Sequence, residues 1–233
     1  LDPKTLELFS IAYHDEPKLS YHVFERTGEI KLSGTLNLPF AAMVHDFVIT
    51  ENYLIIFLCP VTVSFGLEFA KWRPELKTKI VALSRKTNFK SEIWFETEAF
   101  FCYHFVNAYE IESKILIDYV RYPDFTMDTQ QLKSAHWYRT TLNLKSQECN
   151  HQQIDTHDIE FPRINENYQG QNYQYFYALT RLKSSQSNYF HAVIKYDLKN
   201  GNYNIHDFGE SCELDEAIFV PQNNFQKEDD GFV

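Results

Sequence analysis

Glycine is scarce in this chain, seven residues of 233, where average usage gives about 16. The sequence contains no GxGxxG, no phosphate-cradling glycine loop and no GxSxG turn, so the common nucleotide and serine-hydrolase signatures are absent. Cysteine is limited to Cys59, Cys102, Cys149 and Cys212, and no two form a CxxC pair, which argues against a thiolate metal knuckle or a thioredoxin-like site. Cys59 and Cys102 lie in apolar runs and read as buried small hydrophobes in a reducing compartment. No basic tract exists either. Lys plus Arg is 22 against 32 for Asp plus Glu, a net charge of −10, which leaves no positive stripe for a nucleic acid backbone. The longest apolar run, residues 53–63, is too short to cross a bilayer. Residues 1–6 lack both the basic and the apolar region of a signal peptide, so a cytoplasmic protein is expected.

What the chain has in quantity is aromatic side chains: 20 Phe, 15 Tyr and 3 Trp. They are interleaved with Val, Ile and Leu in short runs bounded by turn residues, which is the texture of strands. Strands are predicted over residues 19–24, 30–32, 45–49, 53–59, 79–84, 91–95, 101–106, 111–119, 135–144, 173–181, 190–197 and 203–208. Asn200-Gly201 marks a hairpin. Residues 67–71 and 126–132 could each form a helical turn or two, and the polar stretch 145–158 reads as a surface loop. No alternation of strands with long helices occurs, so an all-β sandwich, barrel or propeller is expected. No blade-length repeat stands out to choose among them. The final Glu228-Asp229-Asp230-Gly231-Phe232-Val233 reads as a turn feeding a strand.

Two of nine histidines stand out. His45 lies between Met43-Val44 and Asp46-Phe47, and His104 lies among Phe100, Phe101, Tyr103, Phe105 and Val106. Each can be a core histidine satisfied by hydrogen bonds. Each can also be a metal ligand, because burial favours neutral imidazole and neutral imidazole suits Fe, Zn or Cu. Glu160 and Glu216 sit beside apolar residues, where a buried carboxylate needs a partner. An arginine, backbone N–H groups or the outer nitrogen of a metal-bound histidine would serve.

Six segments carry a more specific signal, in order along the chain: Asp2-Pro3-Lys4-Thr5-Leu6-Glu7-Leu8; Met43-Val44-His45-Asp46-Phe47; Tyr103-His104-Phe105-Val106-Asn107-Ala108-Tyr109-Glu110; Glu160-Phe161-Pro162-Arg163-Ile164-Asn165; Glu216-Ala217-Ile218-Phe219-Val220-Pro221; and Glu228-Asp229-Asp230-Gly231. Together they resemble the carotenoid cleavage oxygenase family, with Leu6 where that family has glycine, Tyr103 for phenylalanine and Ala217 for proline. The resemblance implies an all-β, partial seven-bladed β-propeller over residues 1–233, missing N-terminal and C-terminal parts. It implies a ferrous iron, Fe(II), held by four histidines, of which His45 and His104 would be the second and third, with Glu160 and Glu216 as acceptors for ring N–H groups. Asn107 and Glu110 would support the His104 segment. None of the remaining histidines matches the motif of the first or fourth ligand.

For the intact parent the resemblance implies O2-dependent cleavage of a conjugated double bond in an apolar carotenoid or apocarotenoid. Cleavage of a stilbene is the alternative, and a non-catalytic propeller fragment acting as a binding or structural module is the non-enzymatic one. Family members often lean on membranes, so a peripheral membrane contact stays open, although no basic amphipathic helix is visible. The 233 residues alone are expected to be inactive, with two ligands of four.

Overall fold

Short apolar runs separated by tight turns cannot bury themselves alone, and here they pair with their neighbours in sequence to give antiparallel meanders. The computed structural model describes residues 1–64, 69–128, 131–182, 185 and 189–233. Strands β1 (Leu8–Tyr13), β2 (Lys18–Phe24) and β3 (Ile30–Asn37) form a three-stranded sheet. A four-stranded sheet follows, β4 (Val48–Ile49), β5 (Tyr53–Leu58), β8 (Thr78–Ser84) and β9 (Glu92–Thr97). Between β5 and β8 the chain makes a separate hairpin of β6 (Val61–Val63) and β7 (Ala70–Trp72). The third sheet is β10 (Phe105–Ile111), β11 (Lys114–Arg121), β12 (His136–Asn143) and β13 (Cys149–Gln153). The fourth is β14 (Ile159–Arg163), β15 (Tyr175–Thr180), β16 (Ala192–Asp197) and β17 (Asn202–Asp207). A short pair, β18 (Val220–Pro221) with β19 (Gly231–Phe232), ends the series.

Each four-stranded meander is a propeller blade. The first strands of successive blades, β4, β10 and β14, lie against one another, and the last strands β9 and β13 also meet. Strand alternation divides the core. On β5, Ile55 and Phe57 face a cluster shared with Ile80, Phe95, Ile117, Tyr119, Trp137 and Phe176. Leu54, Ile56 and Leu58 face a second cluster with Leu19, Val23, Leu36, Val81 and Leu83. Being covered on both faces explains why β5 reads as a continuous apolar run rather than an alternating one.

Three expectations are corrected. Residues 145–158 are not all loop, since β13 pairs with β12 from Tyr138↔Gln153 to Leu142↔Cys149 and its polar composition follows from its place at the blade's outer edge. Residues 70–71 belong to a strand rather than a helix, with Ala70–Trp72 paired to Val61–Val63, and Phe69 lies in a bend before it; the rest of that predicted turn, 67–68, lies outside the described residues, as do 129–130 of the other. Neither His45 nor His104 is on a strand. Pairing begins at Val48 in one case and Phe105 in the other, and Phe101 forms only an isolated bridge to Tyr122.

Polar side chains fasten the blades. Asn107, fully buried, donates from Nδ2 to the carbonyls of Tyr168 and Gln171 at 3.0 Å each and accepts from Gly170 N at 2.9 Å. Glu110 accepts from Thr50 Oγ1 at 2.6 Å and from Asn52 N at 2.8 Å. Both therefore act as structural clamps, tying the second blade's inner strand to its two neighbours. Asp118, also fully buried, accepts four bonds: Trp137 Nε1 at 2.8 Å, Tyr173 OH at 2.8 Å, and Arg139 Nε and Nη2 at 2.9 and 2.7 Å.

Near the start of the chain, Arg85 donates to Asp2 Oδ2 at 2.6 Å and to the Thr50 carbonyl at 2.7 Å. Burial opposes ionisation of Asp2, yet Arg85 and the amides of Lys4 and Thr5 hold its carboxyl below the usual range. The turn that Asp2 organises closes through Leu6, which takes φ 58°, in the left-handed region that favours glycine.

Candidate metal centre

The site forms at one end of the blades, where inner strands begin. His45 precedes β4, His104 precedes β10, Glu160 is near the start of β14, and Glu216 precedes β18. Equivalent positions in successive blades thus bring side chains distant in sequence to one place.

His45 and His104 face each other with ring centroids 5.0 Å apart and planes at 89°. His45 Nδ1–H donates to the Tyr103 carbonyl at 3.0 Å, and His104 Nδ1–H donates to Glu160 Oε2 at 2.6 Å. Each ring therefore carries a proton on Nδ1, and in the neutral tautomer Nε2 is the atom left with a lone pair. Glu160 is buried, 3% exposed; its Oε2 also accepts from Phe161 N, and among the described residues its Oε1 makes no close hydrogen bond, with the Tyr122 side chain nearby. Burial alone would push the His104 imidazole down, but the Glu160 carboxylate outweighs it and the proton affinity of His104 is raised.

Glu216 occupies the equivalent place in the next blade. Its Oε2 accepts from Arg163 Nε at 3.0 Å and from Arg163 Nη2, and it meets no imidazole among the described residues.

Three contributors were not evident from sequence. Asp46 accepts from Phe47 N at 2.7 Å through Oδ1 and from Phe105 N at 3.0 Å through Oδ2, and burial pushes its carboxyl up despite both bonds. Phe161 packs on His104, centroids 5.2 Å apart, from a backbone at φ 52° inside a register shift of β14. Strain of this kind collects at functional sites. Tyr103 meets His45 edge-on at 5.1 Å and continues into Phe101, Tyr122 and Phe125, an aromatic wall beside the histidines. A carboxylate directly after His45 was the one available sequence signal for Asp46.

The donor set fits a divalent metal that prefers imidazole. Two Nε2 lone pairs are free, their rings are perpendicular, and cis ligands about 2.1 Å from one metal would place centroids roughly 4–5 Å apart. Glu160 is a buried carboxylate that needs a positive partner, which a metal-bound His104 supplies. Among the described residues no three metal-ligating side chains converge, so His45 and His104 would not by themselves complete a ligand set.

The whole chain, residues 1–233, matches the family described as retinal pigment epithelial membrane protein, and the protein belongs to that family. It is 28% identical over 269 residues to a carotenoid 9,10(9',10')-cleavage dioxygenase of Phaseolus vulgaris, covering 100% of this chain and 48% of that one. Among solved structures, a lignostilbene dioxygenase of Pseudomonas brassicacearum superposes with a TM-score of 0.89 at 26% identity, over 99% of this chain and 55% of that one. A cobalt-substituted apocarotenoid oxygenase of Synechocystis gives 0.85 at 26% identity, over 96% and 50%. The chain therefore spans about half the length of these relatives. The meanders are propeller blades of this family, as expected from sequence, and the described residues contain no helix long and apolar enough to cross a membrane.

Proposed function

We propose that the whole protein uses O2 to cleave a conjugated carbon–carbon double bond of a carotenoid or apocarotenoid at a ferrous centre held in part by His45 and His104. The observation that carries this reading is the pair of facing imidazoles with free Nε2 atoms, one of them backed by a buried carboxylate. Bound there, iron would supply the electrons and open coordination positions that activate O2. The remaining ligands would come from parts of the protein outside these residues.

This chain's own side chains then have definite tasks. Glu160 Oε2 accepts the Nδ1 proton of His104 and the Tyr103 carbonyl accepts that of His45, so both rings are held correctly turned with Nε2 toward the metal position. Tyr103 and Phe161, half-buried beside the histidines, offer an apolar surface to a polyene, and the buried Phe101 and Phe125 back Tyr103 from the core. Oxidative double-bond cleavage requires no side-chain acid or base at the substrate.

The second reading is a stilbene substrate, favoured by the likeness to the lignostilbene enzyme. Full-length protein should purify with near-stoichiometric iron, and His104→Ala should lose it; full retention would overturn the ligand assignment. Product masses after incubation with an apocarotenoid and with a hydroxystilbene decide between the substrates.

A further inference from the structure

The backbone on either side of His104 is held by two consecutive residues of the neighbouring blade. The carbonyl before it, Tyr103 O, accepts from His45 Nδ1 at 3.0 Å, and the amide after it, Phe105 N, donates to Asp46 Oδ2 at 3.0 Å. The other carboxylate oxygen, Oδ1, takes the amide of Phe47 at 2.7 Å, fixing the direction in which Asp46 reaches across. His104 itself is anchored through its carbonyl, which accepts from Val120 N at 3.1 Å. His45 and Asp46 therefore bracket His104, and the separation of the two imidazoles is set by protein bonds alone.

We propose that Asp46 is a positioning residue that presets the His45–His104 spacing for the metal. The inference rests on the metal reading above. It follows from what a two-point bracket does: the Val120 bond and the β10–β11 pairing hold the segment within its own blade, and the His45 and Asp46 bonds together fix it against the neighbouring blade. A carboxylate suits the task because one side chain must accept from two amides at once, Phe47 N just before β4 and Phe105 N at the start of β10. Asparagine offers a single carbonyl oxygen and would turn its NH2 toward one of those amides. Supporting bonds of this kind change metal affinity by about 10–100-fold when lost.

The same two strands carry a built-in control. At the far end of β10, Glu110 clamps Thr50 and Asn52, beyond β4, with a comparable set of bonds. Contrary to the role the resemblance implied, the Glu110 carboxylate bonds Thr50 and Asn52 and no residue of the 103–105 segment, so losing that clamp loosens the blade junction and leaves the histidine bonds in place.

The test uses full-length protein stripped of metal and titrated with Co(II) against a chelator, following affinity and the visible d–d spectrum. Asp46→Asn should weaken Co(II) binding at least about 10-fold and shift the spectrum, while Glu110→Gln lowers stability but leaves both unchanged. Unchanged affinity and spectrum in Asp46→Asn, with normal binding by the unsubstituted protein, would overturn the positioning role and leave the metal reading intact. Equal changes in both variants would also overturn it, since any loosening would then suffice. If the unsubstituted protein and His45→Ala bind Co(II) equally, the metal reading itself falls. Should Asp46→Asn not accumulate, Asp46→Glu keeps the charge, moves the carboxylate by one methylene and is expected to weaken binding in the same assay.

Discussion

Asp118 offers the sharpest test of how the blades are held together. Replacing it with leucine removes the acceptor for four hydrogen bonds and leaves three donors stranded: Arg139, Trp137 Nε1 and Tyr173 OH. Breaking a buried charge pair from one side costs about 3–5 kcal/mol, and the Arg139 side chain, 25% exposed, can reach some water, so the lower end applies. Each neutral donor left unpaired adds about 1 kcal/mol, since both rings are buried. The expected loss is about 5 kcal/mol, a large share of the stability of an ordinary domain. Removing the stranded charge as well, in Asp118→Leu/Arg139→Met, should recover about 2–3 kcal/mol while Trp137 and Tyr173 stay unpaired. Equilibrium urea unfolding followed by tryptophan fluorescence reads both variants, with Trp137 itself a local reporter. A loss under about 1 kcal/mol in the single variant, or no recovery in the double, would refute the reasoning.

Two further outcomes follow from the described geometry. Leu6 occupies a left-handed backbone conformation, so Leu6→Gly should raise the unfolding midpoint, by about 0.5–1 kcal/mol after the added chain entropy of glycine is subtracted; a lowered midpoint would contradict this. His151 contacts Thr140 Oγ1 at 2.6 Å and Thr97 Oγ1 at 2.8 Å, and burial, reinforced by Arg121, pushes its imidazole down to about 4. The unfolded chain then binds the proton more readily, so stability is complete above about pH 6.5 and is lost as pH falls toward 4. The shift sets a ceiling of about 3 kcal/mol, which partial exposure of the ring reduces to about 1–2. Urea unfolding at pH 7 and pH 4.5 should show that increment in the parent and not in His151→Gln.

The fold class was readable because strands 4–8 residues long, punctuated by turn residues, leave little else to build. What composition hid was the polar outer strand β13, whose Cys149-Asn150-His151-Gln152-Gln153 run looks like a loop until β12 is there to pair with it. The repeat was hidden too. Core residues need only be apolar, so blades share no obvious spelling, yet His45, His104, Glu160 and Glu216 recur 59, 56 and 56 residues apart, one per inner strand. The histidines and glutamates stood out through the resemblance, but Asp46 did not, because its work is on backbone amides and nothing in a sequence records which amide a carboxylate will find. Leu6 was visible as a departure from glycine; the positive φ supplies the physical meaning of that departure.

The placement of those four residues separates what must stay fixed from what is free to vary. They stand at the starts of inner strands, whose positions are set by packing between blades. The connections at that same end join β5 to β8, β11 to β12 and β15 to β16. Such an architecture lets the rim be lengthened, shortened or recoloured to admit a different substrate while the donor atoms keep their places. Under the proposed function, the rim connections and the four inner-strand positions would be inherited on separate stretches of the chain, with Tyr103 and Phe161 bridging the two.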